Sequence, residues 1–167
     1  MSAEDNTVQV LLQKGLQPTF AGPRNEYTLI LDGTTDEATL RYAKFDPSTL
    51  PPKVVAESER TLKGEELTSF LDKVKELQDL PSQPPSVTHD AYGHDVAVIT
   101  RFPGGQVWRN GPAQGCAVPY DGDDDDEGAG AQSAQASFSL ESHQTDRFKS
   151  ITDSLHQTAQ ELLPNLE

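Results

Sequence analysis

Between Gly64 and Leu80 the chain reads GEELTSFLDKVKELQDL, with Leu67, Phe70, Leu71, Val74 and Leu77 at i, i+3, i+4, i+7 and i+10. That spacing puts all five on one side of a 3.6-residue helix and turns Asp72, Lys73, Lys75, Glu76 and Gln78 away. Glu65 and Glu66 suit the exposed N–H groups of the first turn, Gly64 is an acceptable N-cap, and Pro81 ends the helix. A one-sided helix needs a surface to lie on. The strand-like segments flanking it predict that this surface is a sheet.

Thr7 to Gln13 alternates Val8, Val10 and Leu12 against Gln9, Leu11 and Gln13, and reads as a strand. Gly15 to Asn25 reads as a loop. Glu26–Asp32 and Ala38–Phe45 predict a hairpin, with Tyr27, Leu29 and Leu31 on one face of the first strand, Leu40 and Tyr42 on one face of the second, and a five-residue loop from Gly33 to Glu37. In Lys53–Arg60, Val54 and Val55 suit a strand while Ala56 onward suits a helix; strand or loop is preferred. After the proline connector 81–85, Ser86 to Tyr92 is a candidate strand.

Asp95–Phe102 places Val96, Val98, Thr100 and Phe102 on one face. Pro103-Gly104-Gly105 then turns the chain into an antiparallel return over Gln106–Asn110. Phe138 and Leu140 suggest a last short strand. Thr145–Leu163 predicts a second helix, with Thr145 as N-cap and Phe148, Ile151, Leu155, Ala159 and Leu162 along its apolar stripe.

The expected fold is therefore α+β: a mostly antiparallel sheet of five to six strands with two helices on one face, a two-layer sandwich. Residues 1–167 read as one domain with a frayed start over residues 1–6. Only 34% of the residues are hydrophobic, so the few apolar stripes must supply most of the core. The tract DGDDDDEGAGAQSAQAS cannot bury enough apolar surface to offset the entropy of ordering it, and residues 121–136 read as an acidic flexible loop.

Thirteen basic residues against twenty-seven acidic ones leave a net charge of −14. A duplex or an anionic bilayer would repel such a surface, whereas a basic protein would be attracted. One cysteine, Cys116, allows no internal disulfide. The N-terminal residues lack a secretory pattern, and no apolar run approaches the roughly 20 residues that span a bilayer. These features together read as a cytoplasmic protein.

Four arrangements contain residue types that carry chemistry. His89, Asp90, His94 and Asp95 are metal-ligand and general-base types, but His89 and His94 have opposite parity on a strand and no third ligand site is evident. Asp121 to Asp125 resembles a calcium loop superficially. Asp126 stands where a glycine must turn the chain, however, and Gln132 where a bidentate Glu belongs. Pro103-Gly104-Gly105 lacks the spacing of a phosphate-binding loop, and Cys116 has no basic neighbour to activate it.

Polar turn residues are the simpler account of each, and no catalytic residue, cofactor or metal is expected. What remains is surface. Arg101, Trp108 and Arg109 are interface-type residues on one hairpin, and Asp123, Asp124, Asp125 and Asp126 offer dense negative charge. Trp108 as a core residue is the competing expectation. The composite expectation is a small acidic, non-enzymatic protein-binding module: an inhibitor, an immunity-type protein that caps a basic toxin, nuclease or protease, or a viral anti-defence protein. An accessory subunit of a larger assembly is the alternative, and a metal-dependent enzyme built on His89 and His94 is the third.

Overall fold

The alternation of Val8, Val10 and Leu12 along strand β1 (Thr7–Lys14) sets the inner face of the sheet, because all three are buried while Gln9 and Leu11 face out. A computed structural model describes residues 6–16, 18–19, 22–23, 25–46, 48–49, 52–84, 87, 90–110 and 138–163. A short ladder pairs β2 (Pro18–Thr19) with β3 (Gly22–Pro23). It is followed by β4 (Tyr27–Thr34), β5 (Glu37–Asp46) and β6 (Lys53–Lys63). Helix α1 (Gly64–Lys75) continues as a 3-10 turn over Glu76–Asp79. Strands β7 (Val96–Arg101) and β8 (Val107–Asn110) lead to helix α2 (Ser142–Leu162).

Six strands form one sheet in the order β6-β5-β4-β1-β7-β8, every pair antiparallel. The first strand of the chain is thus central, held by β4 on one side and by β7, more than eighty residues later, on the other. Both helices cover the same face. Leu67, Phe70, Leu71, Val74 and Leu77 from α1 and its continuation meet Phe148, Ile151, Leu155 and Ala159 from α2 over the inner residues of the sheet in one core. The α+β two-layer arrangement expected from the apolar periodicities is the one observed.

Several boundaries differ from the sequence expectation, each for a local reason. The β4–β5 hairpin closes on Thr35 and Asp36, since Gly33 pairs with Ala38 and the Thr34 hydroxyl accepts the backbone N–H groups of Asp36 and Glu37. Segment 53–63 is a full eleven-residue strand although only Leu62 is buried, because its backbone pairs along β5. Val55 bulges out of that ladder, with Lys44 opposite Ala56 and Phe45 opposite Val54.

Helix α2 starts at Ser142, three residues before the expected Thr145. Glu141 and Gln144 form a capping box there, which engages the backbone N–H groups of these two residues. Phe138 and Leu140 lie in no strand, and of segment 86–92 the described Val87 and Asp90 have no regular structure while Ala91 and Tyr92 form a turn. Among the described residues, no helix is long and apolar enough to cross a membrane.

Candidate functional site

Two surfaces of different character result from this layering. Strand alternation places Leu11, Ile30 and Ile99 on the side of the sheet away from the helices, and pairing puts Leu11 opposite both Ile30 and Ile99. Extending that register gives one row across all six strands: Glu59, Arg41, Ile30, Leu11, Ile99, Arg109. Leu11 and Ile99 in this row, and Val107 beside it, keep 37%, 46% and 49% of their surface in solvent, so no described residue covers them. Shallow depressions of about 380 Å³, between Leu11, Ile30, Ile99 and Val107, and about 470 Å³, between Thr28, Ile30, Arg41 and Glu57, mark the open face.

Charge on the open face is balanced. Alternation gives it four bases (Arg41, Lys63, Arg101 and Arg109) and four acids (Asp32, Glu37, Glu57 and Glu59). Arg41 pairs with Glu59 at 3.2 Å, Lys63 pairs with Glu37, and Gln9 donates to Asp32 at 3.1 Å. The Nε of Arg109 is buried and meets no acceptor among the described residues. The helical layer is different. Over residues 64–79 and 141–163, nine carboxylates stand against four Lys and Arg, a net of −5.

Of the residues singled out in the sequence, Arg101 and Arg109 share the β7–β8 end of the open face, Arg109 opposite Ile99 and Arg101 two residues beyond Ile99 on β7. Trp108 does not join them. Its neighbours Val107 and Arg109 point outward, so Trp108 points inward, where it is 4% exposed and its indole N–H donates to the Leu80 carbonyl at 2.8 Å. It packs with Tyr92 and Phe148 and is a core residue. The expectation that it anchors an interface is corrected accordingly. Asp123, Asp124, Asp125 and Asp126 lie outside the described residues, as does Cys116.

The histidine–aspartate cluster forms a clasp. The Asp90 carboxylate accepts the N–H groups of Gly93 and Asp95, and the Asp95 carboxylate accepts that of Leu16 at 2.7 Å. Lys14 donates to the His94 carbonyl, which ties the end of β1 to the start of β7. The Nε2 of His94 lies 2.9 Å from the Thr145 carbonyl. A carbonyl only accepts, so that nitrogen carries a hydrogen and offers no lone pair to a metal. His89 lies outside the described residues, and among those described no three His, Cys, Asp or Glu gather in a metal-binding arrangement.

A second histidine sits where α2 meets the sheet. His156 stacks on Tyr27 with ring centroids 3.9 Å apart, and its Nε2 lies 2.9 Å from the Tyr42 hydroxyl. Burial holds its pKa below the usual imidazole value, Lys44 adds to that effect, and Asp153 opposes it. The same burial pushes the Tyr42 phenol up.

The open sheet face was the feature the sequence concealed. Leu11 and Ile99 stand at polar-face positions of their strands, and single apolar residues there are ordinary; only the strand order reveals that they adjoin. No protein-family model matches the chain, and no curated protein or solved structure matches it.

Proposed function

We propose that this chain is a non-enzymatic protein-binding module that recognises a basic protein surface, in the manner of an inhibitor or immunity-type protein. The observation that carries this reading is the uneven placement of charge. The helical layer has a net of −5, the open sheet face is balanced, and the tract 121–127 adds six further carboxylates. Negative charge concentrated on one layer steers a cationic partner toward that layer and accelerates encounter, an effect that weakens as salt shortens the screening length from about 10 Å at 0.1 M to about 3 Å at 1 M.

The groups available there also suit capture of lysines and arginines. Asp72 and Glu76 on α1 and Asp146 on α2 are exposed, and among the described residues no hydrogen bond or ion pair engages their carboxylates. Such carboxylates accept bidentate contacts from guanidinium groups.

Affinity capture from the source cells at 0.1 M and 1 M salt tests the reading. The expected result is a stoichiometric basic protein released at high salt, and lost when Asp72, Glu76 and Asp146 are replaced by lysine. A partner that stays bound at high salt and is indifferent to those substitutions would overturn it, and would favour the role of an accessory subunit.

A further inference from the structure

We infer that the open sheet face is a self-association surface, on which two copies of this chain pack face to face about a two-fold axis running along the strand direction. The inference concerns the face opposite the acidic helical layer and does not depend on the partner proposed for that layer.

Three observations select a second copy as the occupant. The first is the charge balance. A chain with a net charge of −14 repels its own copy wherever the excess resides, yet this face carries four bases and four acids. Two such chains bring this face together without opposing net charges, which the acidic helical layer does not allow.

The second is the order of residues along the central row. From β6 to β8 it runs Glu59, Arg41, Ile30, Leu11, Ile99, Arg109. A two-fold axis along the strands reverses the row on the opposing copy. Arg109 then meets Glu59 of the partner subunit, and Leu11 meets Ile30 of the partner subunit. Ile99 lies beneath the aliphatic stem of Arg41 of the partner subunit. A two-fold axis across the strands sets Glu59 over Glu59 of the partner subunit and Arg109 over Arg109 of the partner subunit. The row therefore discriminates between the two isologous arrangements.

The third is size. Six strands at about 4.8 Å spacing and about six residues at about 3.3 Å rise give a footprint of roughly 570 Å² on each copy, or about 1,100 Å² for the pair. A specific interface clears about 1,000 Å². The product is a four-layer helix–sheet–sheet–helix sandwich with its two acidic layers outermost, and sheets aligned to within about 30°.

Sedimentation velocity on the full chain over a range of micromolar concentrations tests this. The expected result is a concentration-dependent dimer. Ile99→Glu should weaken it at least tenfold while leaving the circular dichroism and the monomer's melting behaviour unchanged, since Ile99 makes no core contact. Arg109→Glu should weaken the dimer, and adding Glu59→Arg in the same chain should recover it. A chain that remains monomeric throughout overturns the inference. So does a dimer that resists Ile99→Glu, which would place association at the exposed edge of β6 instead.

Discussion

The imidazole of His156 lies flat on the phenol ring of Tyr27, 3.9 Å between centroids and 5° from parallel, while its Nε2 faces the Tyr42 hydroxyl at 2.9 Å. A neutral ring with its hydrogen on Nδ1 accepts that hydroxyl hydrogen at Nε2; an imidazolium cannot. The folded-state pKa of His156 is lowered chiefly by burial, so between that value and the ordinary 6.5 the unfolded chain binds more protons than the folded one. The stability this residue contributes is present above pH 6.5 and is lost as pH falls through the folded value. Melting temperature should therefore drop on acidification below pH 6.5, and His156→Gln should flatten that part of the profile. A His156 ring resonance that titrates above 6.5 in the folded protein would refute the assignment.

Gly33 stands where any side chain collides with the neighbouring strand. A Cβ there would lie 2.4 Å from the Glu37 carbonyl oxygen and 2.6 Å from the Ala38 Cα, at a φ of +156°. Both obstacles are backbone and cannot swing aside. Gly33→Ala is expected to cost about 1 to 3 kcal/mol by opening the β4–β5 turn. Urea denaturation of the two proteins measures this, and a loss below half a kcal/mol would show that the hairpin relaxes freely.

Phe70 is fully buried at the centre of the α1 stripe. Truncation to alanine removes a ring between the helix and the sheet, and should cost about 3 to 5 kcal/mol. The same denaturation measurement decides it. An effect under about one kcal/mol would mean that the helix is less tightly seated than its burial indicates.

Trp108→Phe keeps most of the apolar contact with Phe148 and Tyr92 but leaves the Leu80 carbonyl without its donor. The expected cost is about 1 to 3 kcal/mol. Because Trp108 is the one tryptophan in the chain, its fluorescence also reports directly on burial. Iodide should quench the native protein far less than the unfolded one, and equal quenching would contradict the inward orientation.

The parts of this fold that were legible in the sequence are those where a regular period coincides with burial. The α1 stripe, the alternation of β1 and that of β7 each carry their inner residues at the spacing the element imposes. Strand β6 was only half legible because an edge strand with almost no buried side chain leaves no pattern. The start of α2 was misplaced by three residues, since a glutamate serves as its cap where serine or threonine is the usual signal. On the candidate surface, Arg101 and Arg109 share one face and Trp108 the other. Trp108 and Arg109 adjoin in sequence but not in space, because a strand's period of two turns them to opposite faces. The aliphatic row could not be seen at all, because Leu11, Ile30 and Ile99 become neighbours only through strand order.

Placing β1 at the middle of the sheet has a temporal consequence. As the chain leaves the ribosome, β4 reaches β1 within some twenty residues, but the other edge of β1 has no mate until β7 has been made. During that interval the nascent sheet ends in an open hydrogen-bonding edge beside Leu11, competent to recruit a stray strand. Correct maturation thus depends on how soon the β7–β8 hairpin closes the gap, and slowing translation between these segments should lower the yield of native protein before it alters the stability of what has already folded.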